Sequence, residues 1–591
     1  MGKANRIRNK RASAALNNSI KPAKKNEGMP SWAVNLIAIA ITAFVIITVT
    51  LSLLSANGVF GRMQTAMSSD NFRVNANVMR YFYSEAASNA GSTATVDQVI
   101  TAVKSDVKTM LALCEEAHKR GLELDEEDEA NIELQIQMYE LYAQYYGYSS
   151  TNSFISASFG KGVTKTDIKK ALSLEALAAK CGSVLTDEIL EKITSGEIDA
   201  KYLENKNDYD IADYAKYTYK VTYADAAEAV LGKSTYTKEE ETEKAAEILE
   251  KFKELVEKAK ADAKAFNEIA TVEELKAYII EQEVDGVYDD EYTKYFKADA
   301  DDDEFVALKD RPSTEDVETI RKAAIAHLEA LLKEGKKYEE VTVENTEEKN
   351  ATIFGVTVTT AYAEAFEEIM ANTYSSAKTV VGKYYVEGSK YSDSDKGVKW
   401  VFEEGENARK AGDVTTFEEG DGANGAEFPT EASKLKSFSV TAYRCVNPRH
   451  KNETLTRELG VMLFSTKSAA EAAIAKLTAG MTLEQFEAIC TELTGTYRHY
   501  ENYVEGQASS DVFDEWVFGE STVVGGFTAT PIEVTKDKTY AVAIYAAEKE
   551  AIWYLDVRSD ILDETYDETV KALENTYTIK ANDKVIAKLG A

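Results

Sequence analysis

Five tyrosines lie within ten residues of the chain, at Tyr139, Tyr142, Tyr145, Tyr146 and Tyr148. A tyrosine ring presents a large apolar face with a polar edge, so such a set can bind apolar peptide segments without any covalent chemistry. The same rings can instead pack between helices, and the sequence favours that use. We predict one of these two roles for the cluster and treat its residues as a candidate surface for binding apolar polypeptide segments.

Residues that support proton transfer or metal chemistry are scarce and badly spaced for it. No two histidines have the spacing of a helical metal site, and none lies in an HExxH frame. The cysteines show no CxxC spacing, and each lies in an apolar pattern, so we predict four buried thiols. We therefore predict neither a zinc site nor a histidine-based triad. The residues concerned are His118, His327, His450, His499, Cys114, Cys181, Cys445 and Cys490.

One acidic segment partly matches a calcium-binding loop. Asp393, Asp395 and Glu404 occupy its first, third and twelfth positions, but Val398 stands where the sharp turn needs glycine. The acidic run at 299–303 matches less well. We predict solvated acidic loops in both places, and accordingly no metal and no cofactor.

A long apolar run near the N-terminus predicts a membrane anchor. Ala33 to Leu54 carries no charge over 22 residues, and a helix of that length, at about 1.5 Å per residue, spans a bilayer core. Residues 1–31 carry a net charge of +7, which predicts a cytoplasmic arm, a span over 32–55 and an extracytoplasmic remainder. A cleaved signal peptide is the alternative, although its apolar region is shorter and Leu54 is bulky for a cleavage site.

The remainder of the chain is strongly acidic. The whole sequence has a net charge of −33, so the part after the anchor carries about −40 once the basic arm is removed. Such a field repels nucleic acid and anionic lipid, and we predict neither as a partner of this part. It also keeps a protein soluble.

From residue 72 to 208 the pattern is that of successive helices. Apolar residues from Val99 to Cys114 recur at spacings of three and four, and Gly121 has the place of a helix C-cap. Asp125 with Asp128 predicts the start of the next helix. Further helix starts are predicted at Thr164 and at Thr186. We predict an all-α domain over 72–208.

This region resembles the helical chaperone domain of SurA-like and PrsA-like foldases. The resemblance lies in the segments 115–128, 146–154, 185–188 and 202–209: a helix ending in a Lys-x-Gly type of turn, an acidic cap, a Tyr-Gly-Tyr break and a Thr-Asp-Glu cap before a strand. It implies an extracytoplasmic chaperone whose partners are unfolded exported polypeptides.

The rest of the chain contains an internal repeat. Alternation from Ala215 to Tyr223 predicts a half-buried strand. Trp400-Val-Phe402 and Trp516-Val-Phe518 are each followed by a glycine-containing turn and then a strand, which predicts two related modules, at 209–450 and 451–550. In the resembling family such modules are parvulin-type peptidyl-prolyl isomerase domains, and a C-terminal segment, here 551–591, returns to the helical domain.

The resemblance also implies where the isomerase histidines would lie. In the second module those positions fall on Gly460 or Val461 and on Ala541, and neither histidine is present. Cys490 corresponds to a central thiol but lies on an apolar helix face. We therefore predict no catalytic residue.

Taken together, the sequence predicts an α+β multidomain protein with an N-terminal transmembrane helix, an all-α SurA-like chaperone domain and two degenerate parvulin-like α+β modules. Its predicted function is that of a membrane-anchored extracytoplasmic chaperone or foldase for unfolded exported proteins. An active peptidyl-prolyl isomerase with a non-histidine pocket is one alternative. A surface structural or adhesion protein that uses the fold as a spacer is another.

Overall fold

The computed structural model describes residues 59–91, 93–296, 312–336, 338, 344–347, 350–508, 510–519, 521–534 and 539–589. The predicted basic arm, the predicted span Ala33 to Leu54 and the acidic run at 299–303 lie outside these residues.

The helices of the described part are, in chain order, α1 (Val59–Met63), α2 (Ala76–Asn89), α3 (Val96–Arg120), α4 (Glu126–Tyr145), α5 (Thr151–Phe159), α6 (Lys165–Leu190), α7 (Ser195–Glu204), α8 (Lys206–Tyr209), α9 (Tyr223–Leu231), α10 (Lys238–Glu243), α11 (Ala245–Glu268), α12 (Val272–Tyr295), α13 (Thr314–Lys333), α14 (Thr360–Tyr384), α15 (Lys396–Val401), α16 (Lys467–Ile474), α17 (Leu483–Glu492), α18 (Asp511–Phe518), α19 (Ile552–Thr576) and α20 (Asp583–Ile586).

The strands are β1 (Thr65–Ser68), β2 (Arg73–Asn75), β3 (Asp210–Thr222), β4 (Glu344–Glu347), β5 (Asn350–Ile353), β6 (Val356–Thr359), β7 (Tyr385–Lys390), β8 (Val414–Gly420), β9 (Ser437–Lys451), β10 (Leu455–Phe464), β11 (Thr496–Tyr503), β12 (Ile532–Glu533), β13 (Tyr540–Ala551) and β14 (Lys580–Ala581).

The chain forms two compact units. The first contains the described residues up to Ile193 and those from Leu562 onward, and the second runs from Thr194 to Ile561. In the first unit α2, α3 and α6 pack around one apolar core. A small antiparallel sheet of order β14-β1-β2 joins the C-terminal segment to the start of the described chain, with Met67 opposite Ala581.

The helices of the first unit begin and end largely where their capping residues predict. Thr95 and Asp125 each form a reciprocal capping box with the residue three positions later, and Gly121 takes the left-handed conformation, with φ of 71°, that ends α3. The predicted helix start at Thr186 is wrong. Helix α6 continues through that residue because Leu185 and Ile189 both extend its buried face.

The second unit contains two four-stranded antiparallel sheets with the same strand order. The first sheet is β7-β3-β9-β8 and the other is β11-β10-β13-β12. When the four strands of each sheet are numbered 1 to 4 along the chain, both sheets therefore have the order 2-1-4-3. Short helices carrying Trp400 and Trp516, α15 and α18, occupy the corresponding place in each repeat.

A large insertion separates the first and second strands of the first sheet. Helices α12, α13 and α14 and the small sheet β4-β5-β6 lie between α11 and β7, and most of their buried residues form a core of their own. The acidic sequence from Asp289 to Glu304 predicts a loop, and this prediction is wrong for the part that the structure describes. Helix α12 continues to Tyr295 because Val284 and Tyr288 are buried in a core shared with α13 and α14. Arg321 also forms ion pairs with Asp285 and Asp289, at 2.6 and 2.7 Å.

The predicted fold class is therefore corrected. The described chain is a mixed helix-and-sheet, multidomain protein with several small sheets. Its N-terminal unit is not all-α, because β1, β2 and β14 form a sheet within it. Within the described residues we find no helix with the length and apolar character needed to cross a membrane.

Candidate functional site

Helix α4 is apolar on two opposite faces. Ile132, Ile136 and Ala143 face the core and are buried. On the other side Leu134, Met138, Leu141 and Tyr145 follow one another at spacings of four, three and four, and 41–82% of each residue is exposed. A helix that is apolar all round is normally buried. An exposed second face of this kind marks an interaction surface.

The predicted tyrosine cluster continues this exposed face. Tyr142, Tyr145, Tyr146 and Tyr148 are all exposed, and Tyr145 most of all at 82%. Three of these rings, Tyr142, Tyr146 and Tyr148, surround Phe154 of α5, with Tyr146 stacked on it at a centroid distance of 6.1 Å. These four side chains are therefore exposed in part, and three of them also pack against the neighbouring helix α5. We call the exposed residues from Leu134 to Tyr148 the α4 surface: Leu134, Met138, Leu141, Tyr142, Tyr145, Tyr146 and Tyr148.

Tyr139, the fifth tyrosine, has a different position. It is half-buried, and its ring meets Phe159 edge-on at 5.6 Å. Burial raises its pKa, and so does the charge of Glu85 on α2. Glu175 on α6 adds to this increase.

Both carboxylates line a groove of about 650 Å³ in the first unit. Its walls come from α2, α3 and α6, with Tyr566 of α19. Phe82, Val103 and Met110 contribute apolar wall surface. The acidic residues of the lining are Glu85, Asp106 and Glu175, and its described residues include no lysine, arginine or histidine.

The apolar walls change the acidity of one of these groups. Glu175 is an exposed residue, but it lies among the apolar residues of the groove wall. Burial, with a smaller contribution from the charge of Glu85, raises the pKa of Glu175 from its ordinary value of 4.5 to about 7. Near neutral pH, Glu175 therefore exchanges readily between its neutral and charged forms.

This shift predicts a pH-dependent effect of the replacement Glu175→Gln on stability. A carboxyl group whose pKa is higher in the folded than in the unfolded protein contributes fully to stability below pH 4.5. This contribution is lost as the pH rises through about 7. Because glutamine keeps the neutral form at every pH, we expect the variant to match the wild type at pH 4.5. At pH 8 we expect it to be more stable by about 1 kcal/mol, a figure reduced for the exposure of the side chain.

Thermal unfolding of the full-length protein at the two pH values measures this difference. Glu123→Gln, at an exposed position without a described ion pair, is the matched control and should change neither melting temperature by more than about 1 °C. A difference between Glu175→Gln and wild type that is the same at both pH values would contradict the prediction.

The positions to which the parvulin resemblance assigned histidines are apolar and buried. Val461 and Ala541 lie in the core between the second sheet and α18. Gly460 faces α17, where a Cβ would come within 2.8 Å of Leu483. Cys490 lies on α17 itself, where its thiol is buried among apolar residues, and burial raises the pKa of that thiol. Gly460, Val461 and Ala541 have no group for transferring a proton.

The other residues considered for chemistry have structural roles. All four cysteines are free and buried, as the sequence predicts. Asp395 caps α15 by accepting hydrogen bonds from the amides of Gly397 and Val398, at 2.8 and 3.1 Å. It is therefore part of a helix cap instead of a solvated loop. Asp393 is exposed and accepts a hydrogen bond from Tyr391, and Glu404 forms an ion pair with Arg449.

Sequence reasoning missed the groove and its carboxylates. Glu85 and Glu175 are 90 positions apart in the chain, and each lies in an ordinary helical pattern. One signal was available: Glu175 follows Leu174 and precedes Ala176 and Leu177 in a helix whose nearby residues are mainly apolar or small.

No model of a known protein family matches this chain, and no curated protein matches it either. The resemblance to SurA-like and PrsA-like foldases therefore remains a prediction that rests on the residues quoted for it.

Proposed function

We propose that this protein is a chaperone that binds unfolded polypeptides reversibly on the α4 surface. The observation that carries the proposal is the second apolar face of α4, which leaves Leu134, Leu141 and Tyr145 more than half exposed. Burying that face against an apolar segment of a client is favourable by about 25 cal/mol for each Å² removed from water.

The composition of the surface fits clients of varied sequence. Tyrosine combines a large contact area with a polar edge at a low cost in conformational entropy. Met138 adds a flexible, polarizable side chain that adapts to different partners. The acidic charge of the chain would keep complexes with unfolded clients apart and so oppose co-aggregation. The outer side of a cell membrane is the predicted place for this activity, and this rests on the sequence of residues 1–55 alone.

Refolding of an aggregation-prone protein that has a slow X-Pro isomerisation step tests the proposal. With the full-length chain present, we expect light scattering to fall in proportion to its concentration. The rate of the slow phase should stay unchanged, because Val461 and Ala541 offer no polar group to a twisting prolyl bond. An equal mass of an unrelated acidic protein is the control.

The other outcomes support the alternatives. A faster slow phase would show an active isomerase with a non-histidine pocket. Unchanged scattering together with an unchanged slow phase would overturn the chaperone proposal and favour a structural or adhesion role.

A further inference from the structure

A region of positive charge lies where the described chain begins. The whole sequence has a net charge of −33, but residues 59–84 carry +2 and residues 160–170 carry +3. The two segments are in contact, because Arg62 of α1 binds Asp167 of α6 at 3.1 Å. Lys170 follows one turn later on the same face of α6. The first unit therefore has a region whose charge is opposite to that of the chain as a whole.

Hydrogen bonds hold the other cations of this region in place. Arg73 of β2 donates to the carbonyl of Met63 at 2.9 Å, and Arg80 of α2 donates to the carbonyl of Lys161 at 3.3 Å. Asn77 accepts a hydrogen bond from Arg80 and donates one to the ion-paired carboxylate of α6, each at 3.3 Å. The cations from α2, β2, α6 and the segment before α6 therefore belong to one connected network.

Four of these cations have no carboxylate partner among the residues that the structure describes: Arg73, Arg80, Lys161 and Lys170. Arg80 is half-buried and the other three are exposed. Asp167 does not neutralise them, because it is buried and already bound by Arg62. Next to them Met63 is 72% exposed. We call Met63 and the four unpaired cations the basic patch.

The lysines that flank Asp167 in α6 show that pairing is usual nearby. Lys165 binds Glu140 at 2.8 Å, and Lys169 binds Glu133 at 3.3 Å. Both glutamates belong to α4. The absence of such partners around the basic patch is therefore a local property of that surface.

The apolar run of the sequence ends close to the basic patch. Five residue steps separate Leu54 from Val59, and an extended chain covers at most about 3.6 Å per step, so Val59 lies within about 18 Å of the end of that run. Met63 is the last residue of the short helix that Val59 begins. A membrane that holds the predicted span over 32–55 therefore has its surface within reach of the patch.

The acidity of the whole chain does not prevent contact with an anionic surface. At physiological ionic strength the Debye length is about 8 Å, so charges farther away contribute little to the potential at the patch. Headgroups that touch the patch meet its unpaired cations rather than the average charge of the chain. The acidic remainder is repelled by the same surface, and the protein is therefore oriented with the patch toward it.

We propose that the basic patch lies against the membrane surface and binds the phosphate groups of anionic lipids, with Met63 in the headgroup layer. Guanidinium and ammonium groups form charge-assisted hydrogen bonds with phosphate oxygens. This inference goes beyond the proposed chaperone function, because it gives a partner to a surface other than the α4 surface. It rests on the predicted span and is independent of client binding.

Fluorescence of a probe at position 63 tests the proposal. The four native cysteines are buried, so an environment-sensitive dye reacts selectively with full-length Met63→Cys. The labelled protein is reconstituted into vesicles of phosphatidylcholine, with or without phosphatidylglycerol. We expect about twofold higher fluorescence in the anionic vesicles, because the dye enters the headgroup layer there. About 1 M NaCl should remove the difference, since the Debye length falls to about 3 Å.

Two variants of the labelled protein separate the patch from the general charge of the chain. Lys161→Gln/Lys170→Gln should lose at least half of the increase, and it leaves in place the two arginines that bind backbone carbonyls. Lys192→Gln/Lys571→Gln is the matched control. It removes two exposed lysines of the same unit that lie outside the patch, and it should keep the increase.

Each contrary outcome overturns the proposal for a different reason. Equal fluorescence in the two kinds of vesicle shows that anionic lipid does not bind the patch. An increase that persists in Lys161→Gln/Lys170→Gln, or that is lost equally in the control, shows that the attraction arises elsewhere. An equal increase when polyglutamate is added to neutral vesicles shows that the patch binds acidic polypeptides instead. If the protein does not float with either kind of vesicle, the predicted span fails, and this inference fails with it, whereas the refolding assay still decides the chaperone proposal.

Discussion

Replacing Leu134, Leu141 and Tyr145 together with serine is expected to weaken client binding by at least tenfold. These side chains are 56–82% exposed on the α4 surface. Full burial of a side chain of this size contributes about 1.5–3 kcal/mol, and even half of that for two of the three residues exceeds the 1.4 kcal/mol of a tenfold change. The concentration of full-length protein that halves the aggregation of a refolding client measures the effect.

The same variant should remain folded. Since the replaced residues are exposed and lie opposite Ile132 and Ile136, the free energy of unfolding should change by about 1 kcal/mol or less, mainly through the weaker helix propensity of serine. The matched control replaces three exposed glutamines of the same helix, Gln135, Gln137 and Gln144, with serine. It carries a similar cost in helix propensity and should keep the activity.

A triple variant that suppresses aggregation as well as the wild type does would show that clients bind elsewhere. If the control loses as much activity as the triple variant, the effect comes from the stability of α4 instead of its apolar face. Circular dichroism of both variants distinguishes that case.

Gly397→Ala is expected to destabilise the second unit by about 3 kcal/mol. A Cβ at this position would lie only 1.9 Å from Cε1 of Tyr443. The ring cannot easily move away, because it is buried and its hydroxyl donates a hydrogen bond to Asp395 at 3.1 Å. Asp395 in turn caps α15. Forcing an extra carbon into a filled site typically costs about 1–3 kcal/mol of stability. The cost here should be at the upper end of that range, because moving the ring also disturbs the cap that Asp395 provides.

Gly286→Ala is the matched control for this prediction. Gly286 also lies in a helix, α12, but a Cβ there would meet no atom within 4 Å. Alanine should therefore stabilise the protein by about 0.5–1 kcal/mol, since glycine weakens a helix interior. Urea unfolding monitored by tryptophan fluorescence measures the free energy of unfolding of both variants. Equal effects of the same sign at the two positions would contradict the steric argument.

Several local features of the fold were predictable from the chain because they depend on neighbouring residues. The apolar period from Val99 to Cys114 predicts α3, and every residue of that stripe is buried. The alternation after Ala215 predicts part of β3, which extends from Asp210 to Thr222. The two Trp-Val-Phe segments predicted an internal repeat, and the two sheets share one strand order.

Other predictions failed where contacts between distant segments decided the outcome. The spacing of Ile132, Ile136 and Tyr139 predicts that Leu141 or Tyr142 continues the buried stripe of α4, but both are exposed. A helix with apolar residues on two faces does not itself show which face the core covers. The continuation of α12 as far as Tyr295 similarly depends on the burial of Val284 and Tyr288 against α13 and α14.

The sequence by itself determined α3, part of β3 and the presence of an aromatic cluster from Tyr139 to Tyr148, because periodicity and capping are local properties. Only the tertiary structure decided which apolar side chains stay at the surface. It also decided that Glu85 and Glu175 share one groove, and that β14 pairs with β1. The physical reason is that a pattern specifies a face to be buried, whereas the elements that cover it, and those left uncovered, follow from how the whole chain packs.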